Sequence, residues 1–416
     1  MAADFHMDCI LTHEPAKYKT FSMSAYSPET FIQRWQSKAQ MNTDAVPFLD
    51  LKAQLPLIYN EIDEKITDII SNTGFILGKY VEEFEGRFCE VQDVKHCIGV
   101  SSGTDALHIA LQALDIGPGD SVLVPVNTFI ATAEAVSLTG AKPVFVDCDR
   151  YFNIDTQAVE TLLAQQKKAG KPLPKAMIPV HLYGQPADMN RIMEISGVFG
   201  VQVVEDCCQA HLAVLDGCKT GNFGKFGAFS FYPGKNLGAY GEAGCLVTND
   251  SCLFEKARMI RQQGEIERYR HSMIGHNYRM EAIQGAVLAT KLKHLAQWTR
   301  KRRENARLYT ELLTDVGGVQ PPDQLGGTEC AYHLYVVQTD RRDELQAYLE
   351  QHNIGTGLHY PVPLHLQAAY AHLGYQKGDF PLAEKAAGRI LSLPMYPELT
   401  ERQIHHVCAK IKTFFT

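Results

Sequence analysis

Short apolar runs rich in valine alternate along the chain with longer segments whose apolar residues recur at helical spacing. The short runs predict strands over 97–100, 121–126, 142–147, 176–182, 201–205, 227–232 and 244–249. The longer segments predict helices over 103–114, 128–140, 155–168, 188–199 and 253–263. Such alternation is typical of a doubly wound sheet. We therefore expect an α/β fold built on a large, mostly parallel sheet.

A long amphipathic segment over 280–313 separates this part of the chain from a different pattern. The segment predicts a single helix that carries lysine and arginine on its outer face. Beyond it, the sequence predicts a strand over 331–339 and helices over 342–353, 381–391 and 401–415. We expect three parts: an N-terminal extension over 1–45, a large domain over 46–300 and a small C-terminal α+β domain over 301–416.

The first 40 residues show no clear hydrophobic period and no signal peptide. Met41 shortly precedes the apolar run that begins at Val46. We expect this extension to be poorly ordered, or to reflect an over-extended start of the chain.

Composition and charge exclude several classes of protein. With 416 residues and 45% hydrophobic content, the chain can bury a large core. The net charge of -7 and the lack of a basic run argue against a nucleic-acid surface. No apolar stretch approaches the roughly 20 residues that a membrane span needs. The 11 cysteines lack the paired spacing of a zinc site, so we expect no metal, reduced thiols and a cytoplasmic location.

Lys235 lies in a glycine-rich run that extends from Gly227 to Gly244. A lysine on a glycine-lined turn behind a buried strand can lose its solvent, and desolvation lowers the pKa of an amine. A neutral amine can attack a carbonyl carbon and form a Schiff base. An isolated Gly-Lys pair is more often a solvated turn, so the catalytic interpretation of Lys235 depends on the segments that accompany it.

Asp206 follows the valine-rich strand over 201–205 and lies at its carboxyl end. Ligands of open α/β sheets bind just outside these strand ends. A carboxylate there can keep a ring nitrogen protonated, as pyridoxal phosphate requires, and Gln209 is near enough in sequence to reach the hydroxyl of the same ring. The alternative is an aspartate that caps the next helix.

A turn over 101–104 leads from a short strand directly into an amphipathic helix. Free N–H groups at Gly103 and Thr104, together with the helix dipole, make this turn a suitable site for a phosphate. Alone, the turn is equally consistent with ordinary helix capping. In combination, the phosphate turn, the strand-end Asp206 and the glycine-flanked Lys235 indicate pyridoxal phosphate as the cofactor.

Five segments resemble the DegT/DnrJ/EryC1/StrS sugar aminotransferases. They span residues 101–107, 181–186, 205–210, 230–238 and 275–280. The resemblance covers the chain from about Val46 to the C-terminus. It implies the type I fold of pyridoxal phosphate-dependent aminotransferases, L-glutamate as the amino donor and a nucleotide-linked keto-sugar as the acceptor.

The resemblance also implies roles for single residues around the cofactor. Ser230 matches a serine that binds the cofactor phosphate, and Phe129 matches an aromatic residue that stacks on the cofactor ring. Asn277 matches a residue that reaches this phosphate from the neighbouring subunit, which implies a homodimer with composite active sites. Without the resemblance, we would place Phe129 in the core and Asn277 on the surface.

The substrate side is implied in the same way. Tyr278 and Arg279 belong to the segment that the family supplies from the neighbouring subunit, and His359 matches the family's substrate-side loop. The resemblance implies that Lys235 transfers protons as base and acid, while Asp206 keeps the ring nitrogen protonated. Ping-pong kinetics is the expected signature.

The identity of the sugar is less constrained. Residues 102–107 and 234–240 look closest to members that aminate the 3-keto position of dTDP-linked 6-deoxyhexoses. The alternatives are a UDP-linked 4-keto amino sugar, a cyclitol ketone, or a pyridoxal phosphate-binding regulatory protein without turnover. A dehydratase branch of the family carries histidine at the position of Lys235 and is therefore disfavoured. Leu212 stands where relatives often carry glycine, and Cys207 and Cys208 stand where alanine is commoner.

Overall fold

A seven-stranded sheet forms the centre of the computed structural model, which describes residues 9–11, 24–26 and 45–416. In chain order the strands are β1 (His96–Val100), β2 (Ser121–Pro125), β3 (Lys142–Val146), β4 (Ala176–Met177), β5 (Gln202–Asp206), β6 (Phe226–Ser230) and β7 (Gly244–Thr248). Their spatial order is β1-β7-β6-β5-β4-β2-β3. Only β7 runs antiparallel to its neighbours, whereas the other pairs are parallel. The predicted large, mostly parallel sheet is confirmed.

This topology brings three separate segments to one edge of the sheet. Because β7 is antiparallel to both β1 and β6, those two strands run in the same direction, and β5 is parallel to β6. The carboxyl ends of β1, β5 and β6 therefore meet at one edge. The turn over 101–104, Asp206 and Ser230 follow or end these strands.

Eleven helices accompany the sheet in the described part of the chain. They are α1 (Leu55–Asn72), α2 (Lys79–Gln92), α3 (Gly103–Ala113), α4 (Ile130–Leu138), α5 (Thr156–Lys168), α6 (Met189–Phe199), α7 (Ser251–Arg261), α8 (Ala282–Leu313), α9 (Arg342–Gln351), α10 (Pro381–Ala387) and α11 (Glu401–Phe415). The sequence analysis did not assign α1 and α2. Among the described residues, no helix combines the length and apolar character needed to span a bilayer.

The side chains of the strands alternate between two apolar layers. Val122 and Val124 pack in a core cluster with residues of α3 and α4. Leu123 lies between them in sequence and packs in the cluster that contains residues of α5 and α6. Successive residues of a strand point to opposite faces of a sheet, so both faces of this one are covered by helices.

Three predicted elements were wrong in extent by more than two residues at one end. The strand predicted over 176–182 ends at Met177, because Pro179 has no N–H group with which to continue the ladder. The strand predicted over 331–339 is restricted to Tyr335–Gln338, since Tyr332 has a positive φ of +44° that interrupts an extended chain. The helix predicted over 381–391 stops at Ala387, and Ile390–Leu393 pairs instead with Tyr335–Gln338.

Residues 47–416 form one compact unit, separate from residues 1–46. Helix α8 runs continuously through position 300, so the predicted division between a large and a small domain falls inside one helix and stays a prediction. In the N-terminal unit, Cys9–Leu11 pairs in parallel with Ser24–Tyr26. The expectation of poor order over 1–45 otherwise lies outside the described residues.

Candidate active site

A cavity of about 670 Å³ opens at the sheet edge where β1, β5 and β6 end. Eight of the residues predicted from the sequence line it together: Gly103, Thr104, Phe129, Asp206, Gln209, Ser230, Lys235 and His359. These residues come from five separate stretches of the chain. The structure therefore assembles one site from the features that the sequence showed separately.

The first turn of α3 offers unpaired N–H groups to this cavity. Ser102 caps the helix, since its side-chain oxygen accepts a hydrogen bond from the backbone N–H of Asp105 at 3.1 Å. The backbone N–H groups of Gly103 and Thr104 have no acceptor within residues 45–416. Unpaired N–H groups at the positive end of a helix bind anions, so the predicted phosphate turn has the required geometry.

Gly103 permits a close approach between this helix end and β6. A Cβ atom at Gly103 would lie 2.7 Å from Cβ of Ser230 and 2.8 Å from Sγ of Cys208. Both distances are shorter than van der Waals contact. The absence of a side chain at Gly103 therefore lets the first turn of α3 approach Ser230 closely, and both line the same cavity.

Asp206 presents a buried carboxylate to another part of the cavity. The residue is 5% exposed. Its Oδ2 accepts a hydrogen bond from the hydroxyl of Thr132 at 2.8 Å, and its Oδ1 accepts one from the N–H of Cys208 at 3.1 Å. These two hydrogen bonds fix the orientation of the carboxylate. The arrangement suits a cationic ring nitrogen, as the sequence analysis predicted.

Lys235 is half-buried, and its Nζ forms no hydrogen bond or ion pair within residues 45–416. Burial lowers the pKa of its amine, although the nearby Cys208 and Asp206 oppose this shift. A lysine without a partner and with a lowered pKa has a larger neutral fraction and is more nucleophilic.

Buried contacts hold the loop that carries Lys235. The amide Nδ2 of Asn236 donates to the carbonyl of Ala331 at 2.9 Å. Nζ of Lys291, on helix α8, donates to the carbonyl of Gly238 at 2.7 Å. Sequence reasoning missed both Asn236 and Lys291. The sequence analysis expected the lysines of the long helix on its outer face, and Lys291 departs from this because it is 3% exposed and points inward to Gly238.

Gln209 is fixed with its amide nitrogen towards the cavity. Its Oε1 accepts the backbone N–H of Tyr183 at 2.6 Å, and its Nε2 donates to the hydroxyl of Tyr360 at 3.2 Å. Since the oxygen is occupied, the nitrogen end remains to donate to a ligand. This orientation fits the predicted contact with a ring hydroxyl.

His359 and Phe129 lie at the cavity wall. Burial, together with the charge of Lys235, lowers the pKa of His359 to about 4. Nδ1 of His359 lies 2.9 Å from the hydroxyl of Ser392, and its ring stacks on Phe48 with 5.7 Å between centroids. Phe129 is 52% exposed, which is unusual for an apolar ring in a cavity and leaves its face available for stacking.

Asn277, Tyr278 and Arg279 do not line the cavity of their own chain. Asn277 is exposed and forms an isolated bridge with Gln262. The hydroxyl of Tyr278 lies 3.3 Å from Nδ1 of His108, on helix α3. A role for the three residues in catalysis therefore requires a second subunit.

A model of the DegT/DnrJ/EryC1/StrS aminotransferase family matches residues 56–412. The chain belongs to this family. Its sheet and helices are those of the type I fold of pyridoxal phosphate-dependent aminotransferases, which confirms the predicted fold class. This aminotransferase is therefore an enzyme of the transaminase class, as the sequence predicted.

Similar proteins show how far the likeness extends. The aminotransferase is 44% identical to the "Pleiotropic regulatory protein" of Geobacillus stearothermophilus, over 89% of this chain and 98% of that protein. It is 41% identical to the "dTDP-3-amino-3,4,6-trideoxy-alpha-D-glucose transaminase" of Streptomyces venezuelae, over 90% and 97%. The crystal structure of S. venezuelae DesV with a ketimine intermediate superposes with a TM-score of 0.85 at 41% identity, covering 89% of this chain and 98% of that one.

One buried cluster of the aminotransferase has metal-ligand atoms within 4.8 Å of one another: His181, Glu205 and Cys207. Nδ1 of His181 accepts the N–H of Ala187 at 3.0 Å, so its Nε2 carries the proton and lies 3.1 Å from Glu205. Glu205 also accepts three backbone N–H groups from residues 221–224. These contacts occupy the lone pairs that a metal would need. They also anchor the loops that contain Ala187 and residues 221–224 behind Asp206.

Leu212 follows strand β5, which ends at Asp206, and has a positive φ of +59°. Residues other than glycine adopt this left-handed region at a cost in free energy. A glycine, which the resemblance implies at this position, would adopt this conformation without that cost. Cys208 lines the cavity, and burial raises the pKa of its thiol well above the ordinary value, so the thiol is neutral and acts as an apolar wall.

Proposed function

We propose that this aminotransferase uses pyridoxal 5'-phosphate to transfer an amino group from L-glutamate to a nucleotide-linked keto-sugar. The observation that carries the proposal is the convergence of three groups in one cavity: the free N–H groups of α3, the carboxylate of Asp206 and the unpaired amine of Lys235. The name of the S. venezuelae relative supports a sugar substrate and amination at carbon 3.

The residues present fit this cofactor. We assign its phosphate to the N–H groups of Gly103 and Thr104 and the hydroxyl of Ser230. We assign its ring nitrogen to Asp206 and its carbonyl carbon to Lys235. The assignments are supported by N–H groups that have no internal acceptor, by a buried carboxylate and by an amine that has no internal partner.

Two further contacts complete the ring site. The nitrogen end of Gln209 has a hydrogen left for the ring hydroxyl, because its other contact is the hydroxyl of Tyr360. The exposed face of Phe129 offers a stacking surface.

The chemistry follows from these positions. Bound pyridoxal phosphate supplies an electron sink for the substrate carbon that loses its proton. Lys235 would remove the proton from that carbon and return it at the C4′ carbon of the cofactor, so one amine acts as base and as acid. Its lowered pKa favours the neutral form that the first step needs. Asp206 keeps a proton on the ring nitrogen, and the cavity walls reduce access of water.

A homodimer with composite active sites is part of this proposal. The segment that carries Asn277 and Arg279 is adjacent to a hairpin, Glu265–Glu267 paired with Arg270–His271. Tyr269 and Ile274 in this region are 80% and 92% exposed. With Ile266, which is 55% exposed, they place three exposed apolar side chains within nine residues of the chain, and a group of this kind suits a protein interface better than single exposed residues do. We assign Asn277 to the partner's cofactor phosphate, and Arg279 and Tyr278 to its substrate side.

The amino acceptor is tested with a panel of nucleotide keto-sugars. Purified protein, glutamate and each sugar are incubated, and the products are identified by mass. We expect the greatest turnover with a dTDP-linked 3-keto-6-deoxyhexose. Preferential turnover of a 4-keto sugar or a cyclitol ketone would contradict the proposed position of amination and support that alternative.

The alternative of the sequence analysis, a regulatory protein without turnover, has for support only the word "regulatory" in the name of the G. stearothermophilus relative. The two candidates differ in their response to an amino donor. Glutamate should bleach the visible absorbance of the bound cofactor in an enzyme, whereas unchanged absorbance with every amino donor would favour the regulatory protein. We also propose a cytoplasmic location, supported by the cysteines within residues 45–416, all of which are free thiols.

A further inference from the structure

Tyr183 contacts three segments of the cavity wall without lining the cavity itself. Its backbone N–H donates to Oε1 of Gln209 at 2.6 Å, and its backbone carbonyl accepts the N–H of Leu334 at 3.2 Å. Its phenol donates to the backbone carbonyl of His359. One residue thus connects the ring side of the cofactor site with the loop on the substrate side.

The backbone conformation at Tyr183 is needed for these contacts. The residue has a positive φ of +61°, and the next residue is Gly184. A Cβ atom at Gly184 would lie 2.8 Å from the backbone nitrogen of Tyr332 and 2.9 Å from that of His333. The turn is therefore enclosed by neighbouring backbone, and a shift in φ at Tyr183 would move the N–H group away from Gln209.

The phenol has a separate function in this arrangement. The side chain of Tyr183 is buried, 8% exposed, and its ring packs edge-on against Phe152 with 5.5 Å between centroids. The hydroxyl extends beyond this contact to the carbonyl of His359. In residues 45–416 it is the one side-chain donor to that carbonyl, so it limits how far the substrate loop can move from the cofactor.

We propose that Tyr183 is a positioning residue with two separable functions. Its backbone N–H fixes the amide of Gln209 with the nitrogen towards the cofactor ring. Its phenol fixes the loop at His359 against the nucleotide-sugar. The inference rests on the proposed function, since it assigns Gln209 to the cofactor and His359 to the sugar.

Three substitutions separate the two functions. Tyr183→Phe removes only the hydroxyl and retains the backbone. Tyr183→Ala removes the ring contacts that hold the positive φ and retains the cost that any residue with a Cβ atom has there, whereas Tyr183→Gly removes the ring but adopts this φ readily. Because glycine is favoured over alanine at this φ for any function of the residue, the two variants are compared by cofactor affinity and not by stability.

The readouts are the dissociation constant and absorbance spectrum of pyridoxal phosphate, measured on full-length protein by equilibrium dialysis and titration. The sugar side is measured in reverse, with dTDP-3-amino-3,4,6-trideoxy-α-D-glucose as the probe that donates its amine and 2-oxoglutarate as the acceptor. The control is Tyr309→Phe, because Tyr309 is fully buried, its hydroxyl has no partner within residues 45–416, and it does not line the cavity.

We expect Tyr183→Phe to raise KM for the amino sugar by about 5- to 10-fold, which is the effect of one lost hydrogen bond. Its kcat and its dissociation constant for the cofactor should stay within about 2-fold of the wild-type values, as in the control, because the contact with Gln209 is retained. The absorbance spectrum should be unchanged for the same reason. Tyr183→Ala should bind the cofactor about 10-fold more weakly and shift its spectrum. Tyr183→Gly should restore the affinity and spectrum but keep the raised KM.

Two outcomes would overturn the proposal. An unchanged KM in Tyr183→Phe would refute the function of the phenol. Equal cofactor affinities in Tyr183→Ala and Tyr183→Gly, with both folded by circular dichroism, would refute the function of the backbone. If the wild type fails to react with the amino sugar, the proposed substrate is wrong. The cofactor affinities of Tyr183→Ala and Tyr183→Gly still test whether the backbone of Tyr183 positions Gln209.

Discussion

Gly103→Ala tests whether the end of α3 is the cofactor's phosphate site. The new Cβ would lie 2.7 Å from Cβ of Ser230 and 2.8 Å from Sγ of Cys208, and 3.2 Å from the backbone Cα of Ser230. A flexible side chain could not relieve all three contacts, because two involve atoms close to the backbone of β6. The helix end must therefore move away from the strand.

The expected magnitude follows from the cost of overpacking. Extra methyl groups in a close-packed region typically cost about 1–3 kcal/mol. In the variant, the N–H groups of Gly103 and Thr104 no longer converge with the hydroxyl of Ser230, so the cost falls on the state with bound pyridoxal phosphate. Each 1.4 kcal/mol of this cost weakens cofactor binding about tenfold. We therefore expect the dissociation constant of pyridoxal phosphate to rise by about 5- to 150-fold.

The assay is equilibrium dialysis of pyridoxal phosphate, together with thermal unfolding without added cofactor. The control is Gly86→Ala, a helical glycine in α2 whose added Cβ would meet no atom within 4 Å. This control should raise the free energy of unfolding by about 0.5–1 kcal/mol and leave cofactor affinity unchanged. Wild-type affinity in Gly103→Ala would refute the phosphate assignment.

Three further results are expected. Asp206→Asn should bind the cofactor but react about 10²-fold more slowly, because an amide cannot keep the ring nitrogen protonated; full activity in a single-turnover assay would make Asp206 a structural residue. Deletion of residues 1–40 should leave activity and the oligomeric state unchanged, the latter measured by gel filtration with light scattering, since the family match begins at residue 56; loss of cofactor or of the dimer would oppose this. Mixed dimers of Lys235→Ala and Asn277→Asp chains should regain up to half the activity, because one of the two sites carries neither change; inactive mixed dimers would show that Asn277 serves its own chain.

The sheet and the three cofactor segments could be predicted because local pattern determines them. Valine-rich strands and strand-end polar residues, such as Asp206, are visible over a few positions, and the topology needs only the rule that strands alternate with helices. The same local logic failed at 331–339 and 381–391. There, a positive φ at Tyr332 and pairing between distant strands decide the structure.

The parts of the site that sequence did not show depend on long-range contacts. Lys291 reaches the Lys235 loop across 53 residues, and Tyr183 reaches His359 across 176 residues. No spacing rule links such positions. The resemblance to the family supplied Asn277, whose proposed function requires a second chain and therefore has no signal in the geometry of one subunit.

The central claim is that Lys235 carries the cofactor of a transaminase, and a single-turnover experiment on the wild-type protein tests it most directly. Purified holoenzyme is divided; one part is treated with borohydride and mapped by peptide mass, and the other receives glutamate without an acceptor. We expect the reduced cofactor on the peptide that contains Lys235, and about one equivalent of 2-oxoglutarate per subunit as the visible absorbance is lost. A label on another lysine, or no 2-oxoglutarate from a protein that holds the cofactor, would contradict the account.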